Sequence, residues 1–232
     1  MRYLTLYISG ILQSWGDRSR FDIRETLPYP TKSGVTGMLL AASGDSGPQT
    51  ELLERLAPNT FSVIVLKKND EKDETPQLED FHVVGNGYNK ENPWESLFIL
   101  RTKNEKIPVG GGAKLTYRFY LQDKYFGVIF QIQDDLAEKF ANALQAPVYD
   151  LYLGRKCCAP NDILFQGCFD SFEEAKAKIQ SIADDKALKM YSLIRDVNEN
   201  DDLADSFLVN DVPLEFGIHK RYRSRRIIKD LL

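Results

Sequence analysis

The sequence predicts an α+β fold, and three stretches lead there. RYLTLYI (2–8) alternates with period two, like a half-buried strand. Val35, Met38, Leu39 and Ala42 recur at helical spacing, and TFSVIVL (60–66) is a short β-branched run. Strand, helix and strand in that order open a sheet with helices packed on one face. Along the first strand, Leu4, Leu6 and Ile8 share one face, and Tyr3, Thr5 and Tyr7 share the other. A Pro-x-Pro corner leads into the first helix through Thr31, Lys32, Ser33 and Gly34. Gly44 stands where a left-handed C-terminal cap belongs.

Gly47 and Pro48 break the chain before a short helix at 49–56, whose buried side is Leu52, Leu53 and Leu56. Residues 67–80 are polar and acidic and read as a surface loop. FHVVGNGYNK (81–90) reads as a strand and a glycine-rich turn, and WESLFIL (94–100) as another strand. RTKNEKIPVGGGAK (101–114) has too many glycines and charges for a core element. The span 81–114 therefore reads as a hairpin inserted into the sheet, carrying Arg101, Lys103, Lys106 and Lys114.

KLTYRFYLQ (114–122) and FGVIFQI (126–132) read as two strands paired across Asp123 to Tyr125. A helix from Asp135 to Gln145 follows, with Leu136, Phe140, Ala143 and Leu144 inward and Asp134 or Asp135 as its cap. DLYLG (150–154) reads as the closing strand. This order is compatible with a ferredoxin-like βαββαβ domain over 1–153 with 81–114 inserted. Residues 154–232 read as a smaller C-terminal α/β part packed on it. That part holds a strand at 163–169, a helix from Ser171 to Ala183 with Glu174 completing a capping box, and strands at 189–197 and near FGIHKRYRSRRIIK.

A chain of 232 residues with 43% apolar content has enough material for a real core. No stretch has the unbroken apolar length of a membrane span, and MRYLTLYISG lacks the apolar block of a signal peptide. Three cysteines, with Cys157 and Cys158 adjacent, argue against a disulfide framework and for a reducing cytosol. The two histidines, His82 and His219, are far apart, so no zinc spacing arises, and neither metal nor cofactor is expected. Net charge is −4, but it is segregated. Acidic residues gather in 70–80 and 196–205, and basic residues in 18–32, 101–118 and 219–229. That distribution permits a positive groove on an acidic body.

The start of the first helix offers backbone N–H groups, two hydroxyls, a lysine and a glycine, the ingredients of a phosphate seat. The plainer reading is a cap at Thr31 and a solvated Lys32. No Walker pattern precedes the helix, which argues against a nucleotide triphosphatase. Arg18, Arg20 and Arg24 nearby shift the expectation toward a polyanion. Trp15, Tyr29 and Tyr152 suit base stacking, although Trp15 beside a strand end equally suits a core anchor. Arg155 and Lys156 follow a strand and by default are a solvated pair. In HKRYRSRR (219–226), strand alternation would put His219, Arg221, Arg223 and Arg225 on one side, and Lys220, Tyr222, Ser224 and Arg226 on the other.

LQSWG, the arginine-rich loop and PTKSGVTGMLLAASG (12–44) together resemble the CasD family, the subunit of type I-E CRISPR Cascade that holds the 5′ end of the guide RNA. YLGRKCCAP (152–160) resembles a second signature of that family, and the basic C-terminal end a third. The resemblance implies a RAMP-superfamily fold, related to the RNA-recognition modules that lay RNA across an open sheet face. It implies that 81–114 is a thumb wedged between guide nucleotides. It also implies contacts to the 5′ handle of a CRISPR guide RNA. The residues it points to are Gln13, Trp15, Arg18, Arg20, Arg24, Thr31, Lys32, Ser33, Gly34, Arg101, Lys114, Arg118, Tyr152, Arg155, Lys156, His219, Arg221 and Arg223. Implied neighbours are the CasC backbone subunit and the large CasA subunit, with target DNA engaged only indirectly.

Some RAMP proteins, including CasD relatives of type I-C systems, are metal-independent endoribonucleases that need a general acid or base beside the 2′-OH. Here only His82, His219 or a Tyr29–Lys32 pair suits that task. The type I-E resemblance implies that another subunit cuts the precursor, so no catalysis is expected.

Overall fold

Alternation at the N-terminus continues further than 2–8. In the computed structural model, which describes residues 1–16, 22–69, 77–84, 94, 102–106 and 114–232, β1 spans Arg2–Gln13. Leu4, Leu6 and Ile8 enter one core cluster, and Tyr3 and Tyr7 the other. Three two-residue strands follow: β2 (Trp15–Gly16), β3 (Ile23–Arg24) and β4 (Thr26–Leu27). Helix α1 spans Lys32–Ser43. The Thr31 hydroxyl accepts the Gly34 N–H at 3.1 Å, and Gly44, at φ 73°, closes the C-terminal end. Helix α2 (Thr50–Leu56) and strand β5 (Phe61–Lys68) also fall where the pattern puts them.

Strand β6 (Leu78–Val84) pairs antiparallel with β7, which runs without interruption over Lys114–Ile132. The hairpin expected across Asp123 to Tyr125 is therefore corrected to one 19-residue strand. Each half of it finds a different partner. Residues 114–120 pair with β6, while 121–132 pair with β1, and within that stretch 125–130 pair with β5 on the other side. Asp123 has a φ of 46°, yet the pairing with β1 continues past it without a reversal. The strand expected at 94–100, apart from Trp94, and most of 101–113 lie outside the described residues.

Helix α3 (Asp134–Gln145) begins after Gln133, not at an aspartate cap. Asp134 and Asp135 instead occupy the first turn, where negative charge complements the helix dipole. They pair with the N-terminal amine at 2.8 Å and Arg55 at 2.7 Å.

Residues 150–154 do not form a strand. Leu153 is held by a turn instead: its N–H donates to Cys158 O at 2.7 Å, and its carbonyl accepts the Ser14 N–H at 2.9 Å. The place beside β1 goes to β8 (Phe165–Phe169). Helix α4 (Phe172–Asp185) starts at Ser171, whose hydroxyl accepts the Glu174 N–H, while Glu174 accepts the Asp170 N–H. Strands β9 (Leu188–Asp196), β10 (Phe207–Glu215) and β11 (Arg221–Leu231) complete the chain. β10 has no counterpart in the sequence reading. Its Pro213 lowers strand propensity in a window, but β10 is a sheet edge, where proline is tolerated.

The main sheet runs β10-β11-β9-β5-β7-β1-β8, and each neighbouring pair is antiparallel; β3 and β6 flank the outer half of β7. One face carries α1 and α3 over Leu4, Leu6, Ile8, Val63, Val128 and Phe130. The other carries α4, whose Ala175, Ile179 and Ile182 cover Tyr7, Ile64, Ile129 and Leu193. Gly127 makes that second contact possible, because a Cβ there would meet Ile179 at 2.5 Å. The protein is thus a mixed α/β fold, an antiparallel sheet with four α-helices among the described residues. No described helix is long and apolar enough to cross a membrane.

Candidate nucleic-acid interface

The loops after β1 and the start of α1 meet residues 150–155 and the β10–β11 hairpin around a cleft of about 620 Å³. Its walls include Trp15, Arg24, Ser33, Gly37, Tyr152, Arg155, Lys220 and Tyr222. Three stretches far apart in sequence thus share one concavity. A second groove of about 1050 Å³ adjoins it; the two share Glu25, Leu27, Val209 and Asn210 as walls.

Within this cleft the predicted phosphate seat is already filled by the chain itself. The Asp211 carboxylate accepts the Lys32 backbone N–H at 2.8 Å. Arg225 donates to Asp211 through Nε at 2.7 Å and a terminal nitrogen at 3.0 Å, and to Asp196 at 2.7 Å. Asp196 in turn accepts the Phe61 N–H at 3.0 Å. Burial works against the charge on Arg225, but its two carboxylates hold it above the ordinary guanidinium range. The network ties the start of α1 to β9, β10 and β11.

Lys32 is corrected from a phosphate ligand to a core cation. It is 2% exposed, and Nζ donates to Ala57 O at 2.9 Å and Asn59 O at 2.6 Å. Burial, with Arg225 adding to it and Asp196 opposing, pushes its pKa down to about 8. A lysine lowered on folding makes the folded state release its proton first, so stability gains as pH rises from about 8 toward the unfolded value. Below pH 8 the cost is about 3 kcal/mol. Between pH 8 and pH 10, urea unfolding should show wild type gaining about 2 kcal/mol relative to Lys32→Met. A gap that stays flat over that range would mean the ammonium is not held in the core.

Trp15 is the core anchor rather than a stacking surface. It is 1% exposed; its indole N–H donates to Gln13 Oε1 at 3.0 Å, and its backbone N–H to Thr26 Oγ1 at 2.7 Å. Gln13 is fully buried and donates to Lys124 O at 2.6 Å, so it too is withdrawn from solvent. Tyr29 is buried as well, at 6% exposure, and it faces the second groove, while Lys32 is held in the core. Thr31 is a buried cap. The space beside Gly34 is used by Trp15, since a Cβ there would meet the indole at 2.9 Å. The helix surface open to the cleft includes Ser33, Gly37 and Ala41; above Gly37 a Cβ would meet nothing within 4 Å.

Arg24 is exposed and stands beside Arg118, which is half-buried in β7. Tyr152 is half-buried on the cleft wall. Arg155 lies over the Tyr120 ring at 4.5 Å and donates to Phe119 O at 3.2 Å and Arg24 O at 2.8 Å. It braces the turn against the first motif, a task the solvated-pair reading does not contain. Lys156 is exposed outside the cleft walls.

His219, Arg221 and Arg223 are exposed but do not line the cleft; Arg221 pairs with Glu215 at 2.7 Å, and Arg225 is in the buried network. Lys220 and Tyr222, the other alternation set, line the wall instead. Arg18, Arg20 and Arg101 lie outside the described residues, and Lys114 enters as the first residue of β7. No cluster of three or more metal-ligating side chains occurs among the described residues.

Sequence reasoning missed Glu25, Asp150, Asn210 and Asp211 as cleft residues. Asp211 sits in an unassigned strand, and no local pattern points from it to α1, 179 residues earlier.

Known proteins share both the sequence and the fold of this chain. The family described as CRISPR-associated protein (Cas_Cas5) matches residues 3–228. The chain is 28% identical over 178 residues to the "CRISPR system Cascade subunit CasD" of Escherichia coli strain K12, covering 75% of each protein. It is similar to a chain of a solved "CRISPR RNA-guided surveillance complex" with a TM-score of 0.74 and 26% identity, over 99% of this chain and 89% of that one. A structure titled "Crystal structure of Cas protein" matches with a TM-score of 0.61 and 25% identity, over 99% and 94%. With the family match running almost end to end and the fold shared over the whole length, the chain belongs to the Cas5/CasD family of CRISPR-associated proteins.

Proposed function

We propose that this chain is a non-catalytic subunit of a type I-E Cascade that grips the 5′ handle of the guide RNA and caps the backbone filament. The observation that carries the reading is the shared cleft. It joins the first motif, the 152–155 turn and the 220–222 segment, which are the three stretches on which the family resemblance rests. Exposed Arg24 and Lys220 suit phosphates there, and Tyr152 and Tyr222 suit bases. CasC and CasA are the neighbours this role requires, with target DNA reached through the guide.

The run β8-β1-β7-β5, crossed by α1 and α3, supports a ferredoxin-like reading of the core. An RNA-recognition module working alone would use the sheet face opposite those helices. Here α4 packs on that face, so the reading favours the cleft. The thumb role of 81–114 belongs to the same proposal.

The test is co-purification with guide RNA and partner subunits, followed by crosslink mapping. Crosslinks from handle nucleotides should fall on Tyr152, Lys220 and Tyr222. Arg24→Ala with Lys220→Ala should weaken handle binding about tenfold and lower the salt slope by about 2. Equal guide occupancy in wild type and this double variant would remove the cleft from the role. Metal-free incubation with precursor RNA examines the endoribonuclease alternative. Clean single-site cutting, lost on replacing His82 or His219, would establish it in place of the non-catalytic reading.

A further inference from the structure

A groove that only holds phosphates is lined by cations; this cleft is not. Among its described walls, Arg24, Arg155 and Lys220 stand against Glu25, Asp150 and Asp211. Asp211 is committed to Arg225 and the start of α1. Asp150 has no such commitment. It is exposed, and its side-chain hydrogen bond comes from the Tyr152 hydroxyl at 3.4 Å. Glu25, from a different segment, brings a second exposed carboxylate to the same concavity.

An ionised carboxylate accepts hydrogen bonds and donates none. Facing a phosphate it repels. Single-stranded RNA offers it donors of only two kinds, the N–H groups on base edges and the ribose 2′-OH. Tyr152 adds a flat ring at the same wall, with its hydroxyl 3.4 Å from the Asp150 carboxylate. A base stacked on that ring would bring its edge within reach of Asp150. Adenine, cytosine and guanine each carry an exocyclic amino group, whereas uracil offers one imino N–H between two carbonyl oxygens.

We infer that Asp150, beside Tyr152 on the cleft wall, is a specificity-determining residue that reads the amino-bearing edge of one unpaired base and disfavours uracil. This rests on the RNA-binding role proposed above and deepens it. The cations at the rim fix the strand, and the carboxylate selects the base it presents.

The experiment measures binding of the purified chain at low salt to labelled single-stranded oligo-A, oligo-C and oligo-U. A fourth oligomer has purine riboside in place of adenosine, which deletes only the amino group. Wild type should bind oligo-A and oligo-C about tenfold tighter than oligo-U and the purine oligomer, the scale of one good base contact. Asp150→Asn offers both a donor and an acceptor. It should bring all four RNAs within about twofold, with the thermal midpoint and the salt slope unchanged.

The same ranking in wild type, Asp150→Asn and Asp150→Ala would overturn the assignment. So would a uniform gain in affinity for every RNA, which would make the carboxylate only a repulsive charge. Failure of wild type to bind any of the RNAs, alone or with partner subunits, would instead strike the RNA-binding role itself and this proposal with it.

Discussion

Asp211→Ala should lower the thermal midpoint by on the order of 10 °C, at about 3–5 kcal/mol, the scale for breaking a buried ion pair from one side. Removing this carboxylate withdraws two hydrogen bonds from Arg225, whose side chain is only 10% exposed, and leaves that guanidinium to Asp196 and one backbone carbonyl. It also orphans the Lys32 N–H at the start of α1, next to an ammonium that already sits in the core. Two positive groups and a helix N-terminus would then face one another with a single carboxylate between them. Asp211→Asn keeps an accepting oxygen for the helix and should lose less than half as much. Scanning calorimetry of the three proteins decides the matter: a midpoint for Asp211→Ala within 2 °C, about 1 kcal/mol or less for a chain of this size, would show that the network is not a structural tie.

Gly154→Ala should be comparably damaging, and it should reach the cleft directly. Gly154 has a φ of 98°, a conformation that costs a residue with a Cβ about 1–2 kcal/mol. The larger obstacle is space. A Cβ there would lie 1.7 Å from the Ser14 carbonyl oxygen, a backbone atom that cannot swing aside. Either the 150–155 turn or the end of β1 must shift, although the Ser14 N–H to Leu153 O bond at 2.9 Å holds them together. Arg155 would then leave Arg24 O and Phe119 O, and the wall carrying Tyr152 would separate from the first motif. The expected result is a loss of about 3 kcal/mol or more in urea unfolding, together with loss of handle binding beyond that of the Arg24→Ala, Lys220→Ala protein. Wild-type stability and RNA binding in Gly154→Ala would mean that the turn does not need this close approach.

Local signals carried most of the elements and some of the site. Thr31 and Gly44 bound α1, and Ser171 with Glu174 starts α4, because caps act within a few residues of the groups they satisfy. The alternation in β1 assigns Leu4 and Tyr7 to opposite cores for the same reason. The errors came where a partner from elsewhere in the chain decides. Residues 114–132 have the pattern of two strands, yet β6 and β1 each claim one half, and no turn forms. At the helix start, Thr31, Lys32 and Ser33 read as an anion seat. The anion is in fact Asp211, supplied from within the chain.

Local sequence was enough for the caps of α1 and α4, the alternation of β1 and the clustering of charge, and its three motifs pointed to the family. These properties depend on neighbours within one or two turns of chain, so they survive without the fold. Only long-range packing decided which cations line the cleft. It buried Lys32, set Arg155 as a brace, brought Lys220 and Tyr222 to the wall, and placed the Asp150 carboxylate there too. A charge does different work in a core, in a brace and on a wall. The difference is its solvation and its partner, and long-range packing assigns both.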